Sequence, residues 1–349
     1  MYLPRPQTHT SQKPAHRPCA LALLLLSAAL PAQSPTITTT SNLVLVPALV
    51  QSPTGATLPI LKASDFLLTD NGVSQHVTLE DTEHQPRSIV VLLQTGTTAQ
   101  RNFPAYTKLG TMLDYLTDNA PHQVAMIEFD SQPEYQWDFT ANINDLEYGF
   151  TKPDPGDHGA AILDAVDSAI ALLRKQPPTY RRIIVLISQT HDDGSHAQSA
   201  DIVRRLGENN ITIECLTFSP EKAWLKDEFT KPRHENPLYQ ISPDQPLLLH
   251  TFNLDRPLRE AIGAMRTNTS AEVATLSGGE SFPFSGKSDL ERQLSILANH
   301  FAASYTLSFS PTSKQPGFHA LHLQIAGQPT LQVSARTSYW ATSGPSTGP

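Results

Sequence analysis

Residues 89–98 read Ile-Val-Val-Leu-Leu-Gln-Thr-Gly-Thr-Thr: an unbroken apolar run that ends in small polar residues. A short run with no polar alternation, rich in β-branched residues, predicts a strand covered on both faces. Ile183–Ser188 and Ile211–Phe218 are runs of the same kind. Between them the period changes. Tyr106–Leu116 carries Leu109, Met112, Leu113 and Leu116 at helical spacing. Ala160–Leu173 puts Ile162, Ala165, Val166, Ala169 and Leu173 on one helical face. Gln123–Phe129 reads as a further strand and Glu134–Phe139 as an antiparallel edge strand. Helices are expected near His196–Leu206, Leu258–Met265 and Asp289–Ala303, and a Gly turn with a short strand over Gly278–Phe284. Apolar strands alternating with helices predict an α/β fold with a doubly wound, mostly parallel sheet.

Outside this core the pattern is β. Residues 42–50 form a strand in which Pro47 predicts an edge or a bulge. After the turn Ser52-Pro53-Thr54-Gly55 come Ser64–Thr69, the turn Asp70-Asn71-Gly72, and the strand Ser74–Glu80, a hairpin signal. Tyr305–Ser310, His319–Ala326 and Leu331–Ala335 alternate in the same way. The expected organisation is a signal peptide over 1–32, a linker over 33–41, and an N-terminal β unit over 42–86. The α/β domain comes next over 87–303 with an insertion at 219–256, then a C-terminal β segment over 304–341 and a disordered tail over 342–349. The N-terminal β unit is too small for a core of its own and is expected to pack on the α/β domain after it.

Composition narrows the function classes. The chain has 349 residues and a net charge of −8, with no basic cluster carrying interleaved aromatics, which argues against nucleic acid as a partner. Arg5, Lys13 and Arg17 precede an apolar run from Cys19 to Leu30, and Pro31-Ala32 comes after it, the order of a secretory signal. Removing it takes three of the 25 basic residues and none of the 33 acidic ones, leaving −11. No later stretch is apolar enough to span a bilayer, so the mature chain is expected to be secreted, periplasmic or extracellular, with no membrane span. Of the two cysteines only Cys215 would remain, so no internal disulfide can form, and its apolar strand predicts an inert thiol.

Several short pieces, in order and spacing, carry a resemblance. They are Leu45-Val46-Pro47, Asp65-Phe66, Asp70-Asn71-Gly72-Val73-Ser74-Gln75, Phe129-Asp130, Arg181–Ser188, Gly278-Gly279, Tyr305-x-Leu307-x-Phe309-x-Pro311 and Ala335-Arg336-x-x-Tyr339. With them the chain resembles von Willebrand factor type A domain proteins, in particular the bacterial secreted group described as VWFA-related and acidobacterial. The resemblance implies a metal-ion-dependent adhesion site at the carboxyl ends of the strands, built on an Asp-x-Ser-x-Ser loop, a Thr on a second loop and an Asp on a third. Hard cations such as Mg²⁺ need that oxygen set. Here the matching positions are Gln94, Gly96 and Thr98, then Ala160, then Gln189. Both carboxylates and two of the three hydroxyls are gone, so no metal and no cofactor is expected, and Gln94 and Gln189 are candidates for a hydrogen bond across the space.

The same loops carry Asp157-His158 and His191-Asp192-Asp193-Gly194-Ser195-His196. His191 and His196 with nearby carboxylates have residue types that suit a transition metal. The plainer reading is a solvated loop whose Asp and Ser cap the next helix. Asn268-Thr269-Ser270 has the form of a glycosylation acceptor and reads as coincidence. No nucleophile elbow and no phosphate loop is present. The expectation is a protein-binding module, not an enzyme, recognising an unidentified protein partner through Asp157, His158, His191, Asp192, Asp193 and His196. A structural envelope scaffold is the alternative, and a metal-dependent enzyme using His191, Asp192 and His196 ranks last.

Mass spectrometry of the exported protein is expected to find a chain beginning near Gln33. An intact mass that includes Met1–Ala32 would make the segment an anchor instead.

Overall fold

The computed structural model describes residues 43–81, 85–117, 120–218, 262–313 and 315–341. The expected signal, linker, insertion and tail lie outside these residues, as does most of the helix expected over 258–265.

The long apolar runs become the centre of the molecule. The strands β1 (Val44–Gln51), β2 (Phe66–Asp70), β3 (Val73–Gln75) and β4 (Thr78–Leu79) come first. After them come β5 (Arg87–Gln94), β6 (His122–Phe129), β7 (Pro133–Thr140), β8 (Arg181–Gln189), β9 (Ile211–Phe218) and β10 (Ser281–Phe284). The last six form one sheet in the order β10-β9-β8-β5-β6-β7. All neighbours in it are parallel except the edge strand β7, which runs antiparallel to β6. Counted along the chain this is the order 3-2-1-4-5-6, a doubly wound sheet whose winding reverses between β5 and β8. Every residue of β5 and β9 is buried, which accounts for their unbroken apolar pattern.

Helices cover both faces. On one side lie α1 (Phe103–Tyr106), α2 (Leu109–Thr117) and α3 (Glu147–Thr151). On the other lie α4 (Ile162–Leu173), α5 (Ser199–Glu208) and α6 (Thr269–Ser277), while α7 (Lys287–Ala302) returns to the first side. The alternation within each strand divides the core. Ile184 and Leu186 of β8 pack with Val166 and Ile170 of α4, and Ile183, Val185 and Ile187 pack with Leu290 and Leu294 of α7. The helix expected over Tyr106–Leu116 is broken into α1 and α2.

The two β segments at the ends of the chain build one unit. With β11 (Tyr305–Phe309), β12 (Gly317–Ile325), β13 (Gln332–Ala335) and β14 (Ser338–Ala341), they form the sheets β13-β1-β11-β4 and β14-β12-β2-β3. Val46, Val50, Phe66, Leu68, Leu307 and Leu321 share its core. The edge expected at Pro47 is corrected: β1 is an interior strand, paired with β11 and with β13. Proline fits because the β13 ladder starts one residue later, at Ala48, and the Pro47 carbonyl accepts from the Arg336 amide at 3.2 Å. The Pro47 nitrogen therefore faces a position where no ladder donor is needed.

One buried cation fastens this β unit to the parallel sheet. The Arg336 side chain, at 2% exposure, donates to the carbonyls of Leu45 (3.0 Å), Ser277 (3.3 Å) and Ile211 (3.1 Å) and to Asn210 Oδ1 (2.9 Å). Burial lowers its pKa to about 10, so it stays charged at neutral pH. Gly278, at φ +89°, closes over it, because a Cβ there would press on the Arg336 backbone and on Pro47.

A second buried charge sits inside the β unit. His319 Nδ1 lies 2.8 Å from Asp70 Oδ1, and its Nε2 lies 2.8 Å from the Gln315 carbonyl. The Tyr339 hydroxyl donates to Asp70 Oδ2 at 2.8 Å. Both ring nitrogens have an acceptor within reach, which favours the imidazolium, and the bond to Asp70 raises its pKa above the usual value. A His pKa raised by folding stabilises fully below the unfolded value of about 6.5, and the contribution is lost as pH rises through the folded value. The stability difference between the native chain and His319→Gln is therefore expected to be largest near pH 6 and to shrink towards pH 9. Urea titration at several pH values measures it. A difference independent of pH would contradict a charged His319.

Candidate functional site

In a doubly wound sheet, ligands bind outside the carboxyl ends of the strands, where the winding reverses. That position is the mouth between β5 and β8, whose last residues are Gln94 and Gln189. The two side chains meet across it. Gln94 Oε1 accepts the Gln189 main-chain amide at 2.8 Å, and Gln94 Nε2 donates to Thr98 Oγ1 at 3.0 Å and to Gln189 Oε1 at 3.4 Å. The Thr98 hydroxyl donates to Gln189 Oε1 at 2.7 Å, and Gln189 Nε2 donates to the His191 carbonyl at 2.8 Å. Gln94 is fully buried. Each amide oxygen and nitrogen in this network has a partner, so its burial carries little penalty.

The loops have also closed on one another. Thr97 N donates to the Asp157 carbonyl at 2.6 Å, and Gly156 N donates to the Thr95 carbonyl at 3.0 Å. A Cβ on Gly96 would overlap the Gly159 carbonyl oxygen. Ala160, 1% exposed, exchanges main-chain hydrogen bonds with Asp193, at 3.0 and 2.8 Å. The space for a serine at Gly96 is occupied by backbone, and the main-chain groups beside Ala160 are zipped to the third loop. A divalent cation does not fit the residues present. The oxygens of Gln94, Thr98 and Gln189 are turned to one another, and no carboxylate stands at any of the five positions. Among the described residues no group of three or more His, Cys, Asp or Glu side chains is placed to hold a metal ion.

The loop residues of the expected recognition surface separate into supports and an exposed rim. Asp157 accepts Ser131 Oγ (2.5 Å), Ser131 N (3.2 Å) and Gly159 N (2.8 Å), and the Ser131 hydroxyl leads in holding its carboxyl below the usual range. The His158 ring lies 2.8 Å from the Thr97 hydroxyl. Asp192 Oδ1 accepts Leu163 N (3.0 Å) and Ser195 Oγ (2.5 Å), and Ser195 Oγ accepts Leu163 N and Asp164 N at 3.0 and 3.2 Å. The expected capping of the next helix is thus corrected: Asp192 and Ser195 cap α4, the preceding helix, whose own N-cap residue is Ala161 and supplies no side-chain oxygen. His196 turns to Asp164, ring to carboxylate at 3.3 Å. Burial raises the Asp164 carboxyl, and the amides of His196 and Ala197 with the His196 ring outweigh it, so it titrates below its usual range. His191, Asp192 and His196 therefore do not converge on one centre. Asp157, for all its hydrogen bonds, is exposed, as are His158, His191, Asp193 and His196 around the closed mouth.

Two supports are not legible as such in the sequence. Asp130, 2% exposed, accepts Asp157 N (2.8 Å) and Gln132 N (3.2 Å), which anchors the second loop. Its sequence signals are its place directly after a strand and the Phe129-Asp130 piece of the resemblance, and neither says which loop it holds. Glu128 is 3% exposed, and burial pushes its carboxyl up to about 7. Asn268 accepts from Ala271 N at 3.0 Å as the N-cap of α6, and Ser270 is fully buried, so the glycosylation-like triplet is used by the fold. Cys215 is buried, with its thiol 3.0 Å from the Ser270 carbonyl and its pKa raised well above the usual value by burial.

No family model matches the chain, and no curated protein matches it. Solved structures align with parts of it. The conserved hypothetical protein BatB from Bacteroides thetaiotaomicron is 13% identical at a TM-score of 0.39, over 62% of this chain and 98% of that one. An aerotolerance-related membrane protein from Bacteroides fragilis is 17% identical at 0.36, over 61% and 98%. Proximal thread matrix protein 1 from the mussel byssus is 13% identical at 0.40, over 66% of this chain and 49% of that one, so the match spans about half of the mussel protein. At these scores the likenesses carry no weight in the reading of the site. The doubly wound assignment rests on the chain's own strand order and register. Among the described residues no helix is long and apolar enough to cross a membrane.

The closed loop geometry makes one substitution diagnostic. Gly96→Ser is expected to destabilise by about 1–3 kcal/mol, the usual cost of overpacking a filled site. Denaturant titration measures it. A loss below about 0.5 kcal/mol, within the range of neutral surface changes, would mean that the second loop does not rest on Gly96.

Proposed function

We propose that the chain is a secreted or envelope-associated binding module with a von Willebrand A-like domain, and that it engages a protein partner without a metal ion. The observation that carries this reading is the Gln94–Thr98–Gln189 network across the mouth of the sheet. It occupies the place of a cation with neutral groups and leaves the surrounding rim exposed. Recognition then falls to side chains carried by the loops, the usual place for binding residues on a rigid α/β scaffold. His158, His191, Asp193 and His196 are exposed on that rim, beside the exposed support Asp157. Loops tied by Asp130, Asp157, Asp164 and Asp192 to neighbouring main-chain amides offer a fixed surface, which lowers the ordering cost of binding.

Affinity capture tests the partner. The full chain, immobilised in the presence of a chelator, is expected to retain one defined protein from an envelope or culture-fluid extract. A triple variant His158→Ala, His191→Ala, Asp193→Ala is expected to lose it while keeping its melting temperature. Retention by the triple variant, or retention that requires added Mg²⁺, would count against the proposal. An envelope scaffold without a dedicated ligand site predicts no retained protein in any arm.

A further inference from the structure

A buried acid on the parallel sheet, facing α7, is left unused by the proposed function. Ile213 and Cys215 of β9 pack on the α4 side, and Leu216 and Phe218 pack on the α7 side. The alternation of a strand puts Glu214 on the α7 side as well, where it is 6% exposed. Its Oε2 accepts the Glu280 main-chain amide at 2.8 Å. The Glu280 carbonyl in turn accepts the Cys215 amide at 2.8 Å. Gly279 makes this approach possible, because a Cβ there would overlap the Ile213 carbonyl oxygen and come within 3.1 Å of Glu214 Cδ.

The contact runs on into the β unit. Glu280 Oε2 lies 2.7 Å from His300 Nδ1 on α7, and His300 Nε2 lies 3.3 Å from Gln51 Nε2 on β1. Gln51 Nε2 also reaches the Gly55 carbonyl at 3.2 Å. The side chains of Glu280 and His300 are largely buried, and Gln51 is buried. On its other side the same turn meets the fastening cation, since Gly278 closes on Arg336 and Pro47.

The charged groups around Glu214 come from four elements. Glu280 approaches it from the turn and Arg181 from β8. Arg87 of β5 acts on Arg181, and both guanidinium groups stand over the Phe301 ring, at 5.2 and 3.9 Å. His300 of α7 faces Glu280. Cys215 follows on β9, with its thiol at the Ser270 carbonyl. Burial first, and then the charge of Glu280, push the Glu214 carboxyl up to about 8, against the Glu280 amide and Arg181. Two carboxyl groups in one buried place ionise together only at a high cost.

We propose that Glu214 and Glu280 form a proton-held clasp between the parallel sheet and the β unit, closed while the pair keeps one proton and loosened when that proton leaves. Loss of the proton sets two negative charges against each other. The Gly278–Glu280 turn gives way, because β9 is an interior strand with every residue buried. Its movement separates Glu280 from His300 and lifts Gly278 from Arg336. A carboxyl whose folded pKa lies above the unfolded value of about 4.3 makes the folded chain hold the extra proton. Stability therefore falls as pH rises from about 4.3 and levels off above about 8.

Hydrogen exchange of the full chain, read by mass spectrometry and corrected for the intrinsic pH dependence of exchange, tests this together with urea titration. In the native chain the protection of amides 278–282 is expected to fall about tenfold or more from pH 6 to pH 9. Glu214→Gln keeps a neutral acceptor for the Glu280 amide, and its protection is expected to hold over that range. The ratio of its folding equilibrium constant to that of the native chain is expected to rise about tenfold or more from pH 5 to pH 9. His319 titrates alike in both chains and cancels in that ratio. Glu280→Gln covers the case in which Glu214→Gln does not fold. It removes the opposing charge, so its loss of protection is expected to be smaller than that of the native chain. Protection independent of pH in the native chain would overturn the proposal. So would a fall in Glu214→Gln, or in Glu280→Gln, equal to that of the native chain.

Discussion

The reversal of winding between β5 and β8 leaves a mouth at the top of the sheet, and two glutamine side chains close it. Everything above the sheet depends on that closure. Gln94 holds the Gln189 main-chain amide, Thr98 holds the Gln189 side chain, and the loop from Gly156 to Gly159 lies down on Gly96. A carboxylate pair in this place would repel across the crevice unless a cation stood between them. An amide pair supplies its own donors and acceptors, so the loops can collapse onto one another. The residues at the mouth are mutually consistent. A side chain at Gly96 would collide with the Gly159 carbonyl, and Ala160 fits beneath the main-chain bridge to Asp193.

The lower end of the sheet rests on a different constraint. Arg336 sits buried with neutral partners, and it joins β1, the start of β9 and the end of α6. Truncating such a group would leave its carbonyl partners unsatisfied, which costs about 1–3 kcal/mol for each orphaned group. The short motifs scattered through the sequence acquire a common reason here. Leu45 and Pro47 supply the carbonyls, Gly278 allows the close approach, and Arg336 occupies the centre. Tyr339 and Asp70 belong to the neighbouring His319 cluster inside the β unit. Pieces nearly 300 residues apart in the chain pack in two adjoining places.

The parallel sheet is legible in the sequence because burial on both faces leaves unbroken apolar runs such as Ile89–Leu93, and that signal is local. The amide pair at Gln94 and Gln189 is legible because each residue lies directly beyond such a run. What periodicity cannot carry is pairing at long range. Nothing around Val44–Gln51 announces that its neighbours are Tyr305–Phe309 and Gln332–Ala335, and so Pro47 reads as an edge residue when it is interior. The loop chemistry is hidden for a related reason. Asp192 precedes α5 in the chain, and a capping argument from sequence looks forward. In space the unsatisfied amides beside it are those of α4, which the parallel order of the strands brings alongside.

The central claim is that the mouth of the sheet is closed to cations. The most direct measurement is the melting temperature of the full chain during titration with MgCl₂ or MnCl₂ and back-titration with a chelator. A site with Kd a hundredfold below the metal concentration would add about 2.7 kcal/mol, a shift of several degrees for a chain of this size. A closed mouth predicts an unchanged melting temperature at low millimolar metal. A rise of several degrees, reversed by the chelator and abolished by Thr98→Ala, would contradict it.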